Sequence, residues 1–351
     1  MQFSFHRLLQ DATRLTRSGR LQAATHAIHP ALRAVPGGRA EAPSSPADIV
    51  IDVEAREPGT GSTTAPQAPP RGEGSVVTGR FGSGTQARDW RLYIPPQAGE
   101  RPLPLVVMLH GCKQDPDDFA AGTRMDDAAR EHGCFVLYPA QSKQANPQGC
   151  WNWFKHSHQQ RGRGEPALLA GMTRDILQKH PVDPARVYVA GLSAGGAMAA
   201  ILAGAYPELY AAAGVHSGLA AGSADDLSSA LAAMRSGSAG AAEAPDRPII
   251  VFHGDADRTV HPSNGGHVLE GSLPAGTAAE TQQERPGRGR GYTRSVHRAP
   301  DGRVVAEHWV VHGSPHAWSG GSAAGSYTDP KGPDATREML RFFLAVTPGG
   351  E

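Results

Sequence analysis

The sequence has little with which to ligate a metal, cross a membrane or attract a polyanion. Its three cysteines, Cys112, Cys134 and Cys150, lack the close pairing that a structural zinc site uses, so no metal or cofactor is implied. No apolar run approaches the roughly 20 residues of a membrane span. Lys plus Arg number 34 and Asp plus Glu number 34, so no net field draws nucleic acid as a partner. The N-terminus also lacks the apolar core of a secretory signal. The expectation is a soluble chain acting on a small-molecule or polymer substrate.

What is abundant is glycine, at 43 residues, and proline, at 29. They concentrate in the first quarter and in the stretches 217–247 and 271–291, which suggests a compact domain with loose additions. Residues 1–35 place Leu8, Leu9, Ala12 and Leu15 at helical spacing, with Arg7, Arg14, Arg17 and Arg20 on the remaining face: a basic amphipathic helix. Residues 36–75 turn to Pro, Gly, Ser, Thr and Ala, too poor in large apolar side chains to order themselves, and are expected to be a flexible linker. A basic amphipathic helix on a tether is the form of an interfacial anchor, with a polymer granule or a membrane as its surface.

From Val76 to Val346 short apolar runs alternate with helical stretches, which predicts an α/β domain with a mainly parallel sheet covered by helices. Trp90–Ile94 alternates and ends at Pro95-Pro96, suiting an antiparallel lead-in strand. Leu103–Leu109, Cys134–Tyr138, Arg186–Ala190, Tyr210–Val215 and Pro248–Phe252 are continuous apolar runs, as in strands buried on both faces. Val304–Val311 is expected to close the series. Helices are expected over Asp117–Glu131, Pro166–Lys179, Ala194–Ala205 and Asp334–Leu344. Cys134 opens its apolar run and reads as a buried core thiol. Cys112 and Cys150 both fall in loops, and spacing alone leaves their pairing open.

Four short stretches carry chemistry. Gly191-Leu192-Ser193-Ala194-Gly195 follows one strand and opens an Ala-rich helix. A nucleophile on so sharp a turn needs small neighbours, and the helix N-terminus behind it favours developing negative charge. In a chain this rich in glycine the box alone is weak; the strand before and the helix after give it meaning. His110-Gly111-Cys112 ends another strand, and the backbone N–H groups of Cys112 and Ala194 are the candidate oxyanion donors. His253-Gly254-Asp255-Ala256-Asp257 follows a third strand and offers two acids. Asp257 is preferred, because the loop must turn before it can aim a carboxylate back, and Asp255 reads as a loop cap. His253 and His261 read as structural. His316, in a Gly/Pro loop between the last strand and last helix, is the candidate base. Ser193, Asp257 and His316 follow in the order expected of the α/β-hydrolase fold, about 60 residues apart, with room for a helix-strand unit between each. Cys150-Trp151-Asn152-Trp153-Phe154 puts three aromatics in five residues; Trp151 and Trp153, with Trp318 beside His316, are candidates for an apolar substrate wall, against the plainer reading of a satellite core cluster.

On these blocks the chain resembles the poly(3-hydroxybutyrate) depolymerase family of esterases, to which some feruloyl and acetyl xylan esterases are related. Leu105–Cys112, Cys150–Phe154, Gly191–Gly196, His253–Val260 and His316–Gly321 carry the likeness, over about residues 76–346. The resemblance implies an α/β-hydrolase with the triad Ser193, Asp257 and His316, oxyanion donors Cys112 and Ala194, a Cys112–Cys150 disulfide beside the site, and no cofactor. It also implies an extracellular protein, whereas the unreadable signal peptide points to the cytoplasm, as does the basic N-terminal helix, which resembles that of short cytoplasmic-looking members. No polymer-binding domain follows His316, so attack on crystalline polymer is not expected. The reaction expected is hydrolysis of polymeric or oligomeric 3-hydroxyacid esters. The alternatives are a feruloyl or acetyl xylan esterase and, from another class, a non-catalytic binding protein on a hydrolase scaffold.

Overall fold

The computed structural model describes residues 72–237 and 247–346. The amphipathic helix expected over 1–35 and the linker expected over 36–75, apart from 72–75, lie outside the described residues. One sheet runs through the molecule in the order β1-β2-β4-β3-β5-β6-β7-β10-β9-β8. Its middle comprises β4 (Phe135–Pro139), β3 (Leu103–Leu109), β5 (Val182–Leu192), β6 (Ala212–His216), β7 (Ile249–Gly254) and β10 (Val304–Val311), all mutually parallel. On one side β2 (Arg88–Ile94) pairs antiparallel with β4, and β1 (Ser75–Phe81) pairs with β2. On the other, β9 (Tyr292–Arg298) and β8 (Ala278–Glu284) extend the sheet antiparallel beyond β10.

The apolar runs are buried on both faces because alternate residues feed two separate cores. Leu105, Val107, Leu109, Val187, Val189, Val215 and Val251 point to one face. There they meet Leu169, Met172 and Ile176 of α3 (Gly164–Lys179) and Met198 and Leu202 of α4 (Ala194–Ala205). Val106, Met108, Val136, Tyr188, Ile250 and Phe252 point to the other. They meet Phe119 of α1 (Pro116–Thr123), Met125 and Ala128 of α2 (Met125–His132), and Met339 and Phe343 of α7 (Ala335–Ala345). A period-2 pattern with both phases apolar is what a doubly covered sheet requires.

Three expectations change. The helix expected over Asp117–Glu131 is two helices, broken at Arg124, which takes a left-handed conformation at φ 55°. Val304–Val311 is the last strand of the large sheet in chain order, as expected, but two strands that were not expected, β9 and β8, lie beyond it in space. Within the stretches expected to be loose, α5 (Leu227–Ser236) and β8 are ordered elements; α5 starts from a capping box in which Asp226 and Ser229 hold each other's backbone N–H. Between β7 and β8 lies α6 (Ser263–Glu270). Cys134 is a buried free thiol whose pKa burial pushes up to about 12.

Because β3, β5, β6, β7 and β10 run parallel, the loops at their C-terminal ends share one edge of the sheet. The loops after His110, Leu192, Gly254 and Val311 all emerge there, where an open α/β sheet builds its site.

Candidate active site

Ser193 sits alone between the last residue of β5 and the first of α4, at φ 57° and ψ −119°. A non-glycine residue at positive φ is strained, and the strain persists only because the surroundings hold it. Ser193 N donates to His216 O at 2.9 Å. A Cβ on Gly195 would collide with the carbonyls of Leu109 and His110, so the turn closes against β3 only because that position is bare. The Ser193 hydroxyl does not cap α4 and is left available. Behind it, the Ala194 N–H belongs to the first helical turn, whose donors have no intrahelical acceptor.

The turn after β3 faces this helix start. Gly111 N donates to Gln114 Oε1 at 2.9 Å, whereas the Cys112 N–H has no acceptor among the described residues. Cys112 is joined by a disulfide to Cys150. Trp151 Nε1 donates to His110 O at 3.1 Å, and His110 Nε2 accepts from Gln141 N at 3.1 Å, leaving Nδ1–H to donate to Gly111 O. Buried Glu165 anchors the same loops: its carboxylate accepts from Gln141 Nε2 at 2.6 Å, Asn152 Nδ2 at 2.7 Å and Asn152 N at 2.7 Å.

Each of the two acids after β7 has its own histidine. Asp257 Oδ2 lies 2.7 Å from His316 Nδ1, and its Oδ1 accepts from Thr259 N at 2.8 Å and Val260 N at 2.9 Å. Asp255 Oδ2 lies 2.8 Å from His312 Nδ1, and its Oδ1 accepts from Gly313 N at 2.6 Å. His312 Nε2 in turn meets Thr293 Oγ1 at 3.0 Å. The sets differ in setting: Asp257 is buried at 5% exposure, whereas the Asp255 side chain is 41% exposed and its histidine ends on Thr293 at the start of β9. Burial alone would raise the Asp257 pKa, but the His253 imidazole 3.5 Å away, the hydrogen bond and field of His316 and the Val260 N–H outweigh it, holding the carboxyl well below its usual range.

The tryptophans do not form a wall. Trp151 and Trp318 are 0% and 1% exposed and Trp153 is 5%. Trp151 and Trp153 pack in one core, and Trp318 packs in the other, edge-on to Phe119 and stacked on His216, with Nε1 donating to Thr336 Oγ1. Three aromatics in five residues signal burial as readily as a lined pocket, and here burial prevails.

One residue beside the site carries no motif. His216, at the end of β6, accepts from Ser193 N through its carbonyl and from Ser319 N, three residues past His316, through Nε2 at 2.9 Å. It thereby ties the turn bearing Ser193 to the chain bearing His316. Burial, then the neighbouring His253 and His316, lower its pKa to about 3, so the ring is neutral and Nδ1–H donates to Ser217 Oγ. Among the described residues no group of three or more His, Cys, Asp or Glu is arranged to hold a metal, and no helix is long and apolar enough to cross a membrane.

A family model described as Esterase PHB depolymerase matches residues 88–283. Poly(3-hydroxyalkanoate) depolymerase C of Paucimonas lemoignei is 30% identical over 228 residues, 61% of this chain and 54% of that protein. Feruloyl esterase B of Thermothelomyces thermophilus is 34% identical over 151 residues, 43% of this chain and 50% of that protein. The chain thus spans about half the length of these curated relatives. Among solved structures, the acetyl xylan esterase from Aspergillus awamori superposes with a TM-score of 0.54 at 22% identity, over 69% of this chain and 94% of that one. That likeness shows the α/β-hydrolase fold.

Proposed function

The chain belongs to the esterase PHB depolymerase family, and on that premise we propose that it hydrolyses carboxylic esters of short 3-hydroxyacids, in polymer or oligomer, with Ser193 as nucleophile, His316 as base and Asp257 as acid. His316 Nε2 takes the Ser193 proton as Oγ attacks the ester carbonyl. The resulting oxyanion is met by the N–H groups of Cys112 and Ala194. His316 then gives the proton to the leaving alcohol, and a water activated by the same imidazole releases the acid from the acyl enzyme. Asp257 fixes the Nδ1–H tautomer and offsets the imidazolium charge. The observation that carries this reading is the hydrogen bond between buried Asp257 and partly buried His316, on the same sheet edge as a serine held at positive φ. The disulfide suits an oxidising compartment.

Labelling with a phosphonate serine probe tests catalysis against mere binding on a hydrolase scaffold. Ser193→Ala is expected to abolish labelling and to lower kcat on p-nitrophenyl butyrate by about a million-fold with an unchanged circular dichroism spectrum. Activity within tenfold of the native protein would remove Ser193 as nucleophile. The similarity to feruloyl and acetyl xylan esterases favours a second reading, acyl removal from plant polysaccharide. Turnover of poly(3-hydroxybutyrate) emulsion against methyl ferulate and acetylated xylan decides between them.

A further inference from the structure

We propose that His253 is a positioning residue for Asp257, its Nε2–H clamping the turn that presents the carboxylate to His316. This rests on the assignment of Asp257 as the triad acid. His253 stands on β7, is 1% exposed and points into the loop that follows its own strand. Its Nε2 lies 3.0 Å from Val260 O and 3.5 Å from Asp257 Oδ2, while its Nδ1 is buried with no hydrogen-bond partner. An imidazole with two acceptors facing one nitrogen and none facing the other carries its proton on the first. The opposite tautomer would set a lone pair against a carbonyl and a carboxylate.

The clamp leaves the carboxylate little freedom. Oδ1 is committed to the N–H groups of Thr259 and Val260, and Oδ2 lies between His253 and His316. Rotating the carboxylate would strip several of these contacts at once, so Oδ2 stays where His316 Nδ1 meets it. The ring is closely covered as well. Gly265 of α6 sits over it, and a Cβ there would lie 3.2 Å from His253 Nδ1 and 3.0 Å from His308 Nε2. The titratable groups facing this pair are His216 from β6, His308 from β10 and His316 from its loop. The contact with His253 also helps hold the Asp257 carboxyl below its usual range.

The test compares His253→Leu and His253→Gln in the full chain, with Asp257→Asn alongside, using p-nitrophenyl butyrate across a pH series. Gln is chosen because its amide N–H reaches about as far as imidazole Nε2. His253→Leu is expected to lower kcat about ten- to a hundredfold, the scale of a small misplacement of a catalytic group, with KM within about twofold. Its acid limb of kcat/KM should move to higher pH, because a carboxylate with one donor fewer binds the His316 proton more tightly. His253→Gln should recover most of kcat and return the limb. A Leu variant with native kcat and an unmoved limb overturns the proposal, as does a Gln variant no better than Leu. If the Leu variant does not fold, a Gln variant with near-native kcat and an unmoved limb supports the clamp, and one with a large kcat loss overturns it. Retained activity in Asp257→Asn would instead overturn the triad assignment, a different failure from either.

Discussion

Asp255 and Asp257 stand two residues apart, each with a histidine at hydrogen-bond distance, and only their surroundings tell them apart. In a buried site a carboxylate facing an imidazolium acts with little screening, whereas a half-exposed pair is weakened by water. Asp257→Asn is therefore expected to lower kcat about ten-thousand-fold by presenting the wrong partner to His316 Nδ1. Asp255→Asn should change it by less than about tenfold. Steady-state kinetics on a soluble ester checks both, and equal losses would mean that the exposed pair belongs to the machinery. The candidate residues were legible because their chemistry is bound to short local patterns: Gly191–Gly195 needs its glycines, and His253–Asp257 needs its turn. His216 was not legible. Its two contacts join residues far apart in sequence, and a histidine ending an apolar strand has no local signature for that. The side of the sheet on which Trp151 and Trp318 would be buried was likewise decided by packing alone.

Among the elements, the break between α1 and α2 repays attention. Apolar spacing continues across Arg124, so periodicity predicted one helix, yet Arg124 closes α1 in the left-handed region and opens α2. Thr123 Oγ1 bonds back to Phe119 O at 2.8 Å, and Arg124 N reaches Ala120 O at 2.9 Å, ending the first helix as a left-handed cap does. Such a position suits glycine. Arg124→Gly is expected to raise stability by about 0.5–1 kcal/mol, because the exposed Arg124–Asp127 ion pair that it removes is worth little. Thermal melting should show a rise of about 1–3 °C for a protein of this size. A fall would show that the guanidinium does more than its exposure implies. The outermost strand β8 escaped prediction for a different reason. Every residue of Ala278–Glu284 is exposed, so it carries no alternation of apolar and polar side chains. The central strands, buried on both faces, were the easiest to find.

Over the whole molecule, several buried titratable groups shift in ways that set stability against acid. Burial and nearby histidines lower the pKa of His216 to about 3 and of His308 to about 4, below the roughly 6.5 of an unfolded histidine. Below that value the unfolded chain binds more protons than the folded one, so stability is intact above about pH 6.5 and declines as pH falls toward 4. Asp257, Glu165 and Glu307 add a second phase. Burial opposes their ionisation, but hydrogen bonds and ion pairs outweigh it and depress all three. Their contribution is present above the unfolded carboxylate range near pH 4 and is lost as pH drops through the folded values. The melting midpoint should therefore fall gradually from about pH 7 to pH 5 and steeply below about pH 4. A flat profile between 7 and 5 would show that the buried imidazoles are free to protonate in place.

The Cys112–Cys150 bond has a mechanical side as well. With its ends 38 positions apart in sequence it closes a covalent ring that contains α1, α2 and β4. Tension applied along the chain passes from one sulfur to the other and leaves that ring unloaded. About 130 Å of contour length is thus hidden from any pulling force, at some 3.4 Å per residue. One strand from the middle of the sheet cannot be drawn out straight while the bond holds. An oxidised chain dragged by one end is therefore shorter at full extension than a reduced one, and the shortened part is the one that backs the turn bearing Cys112.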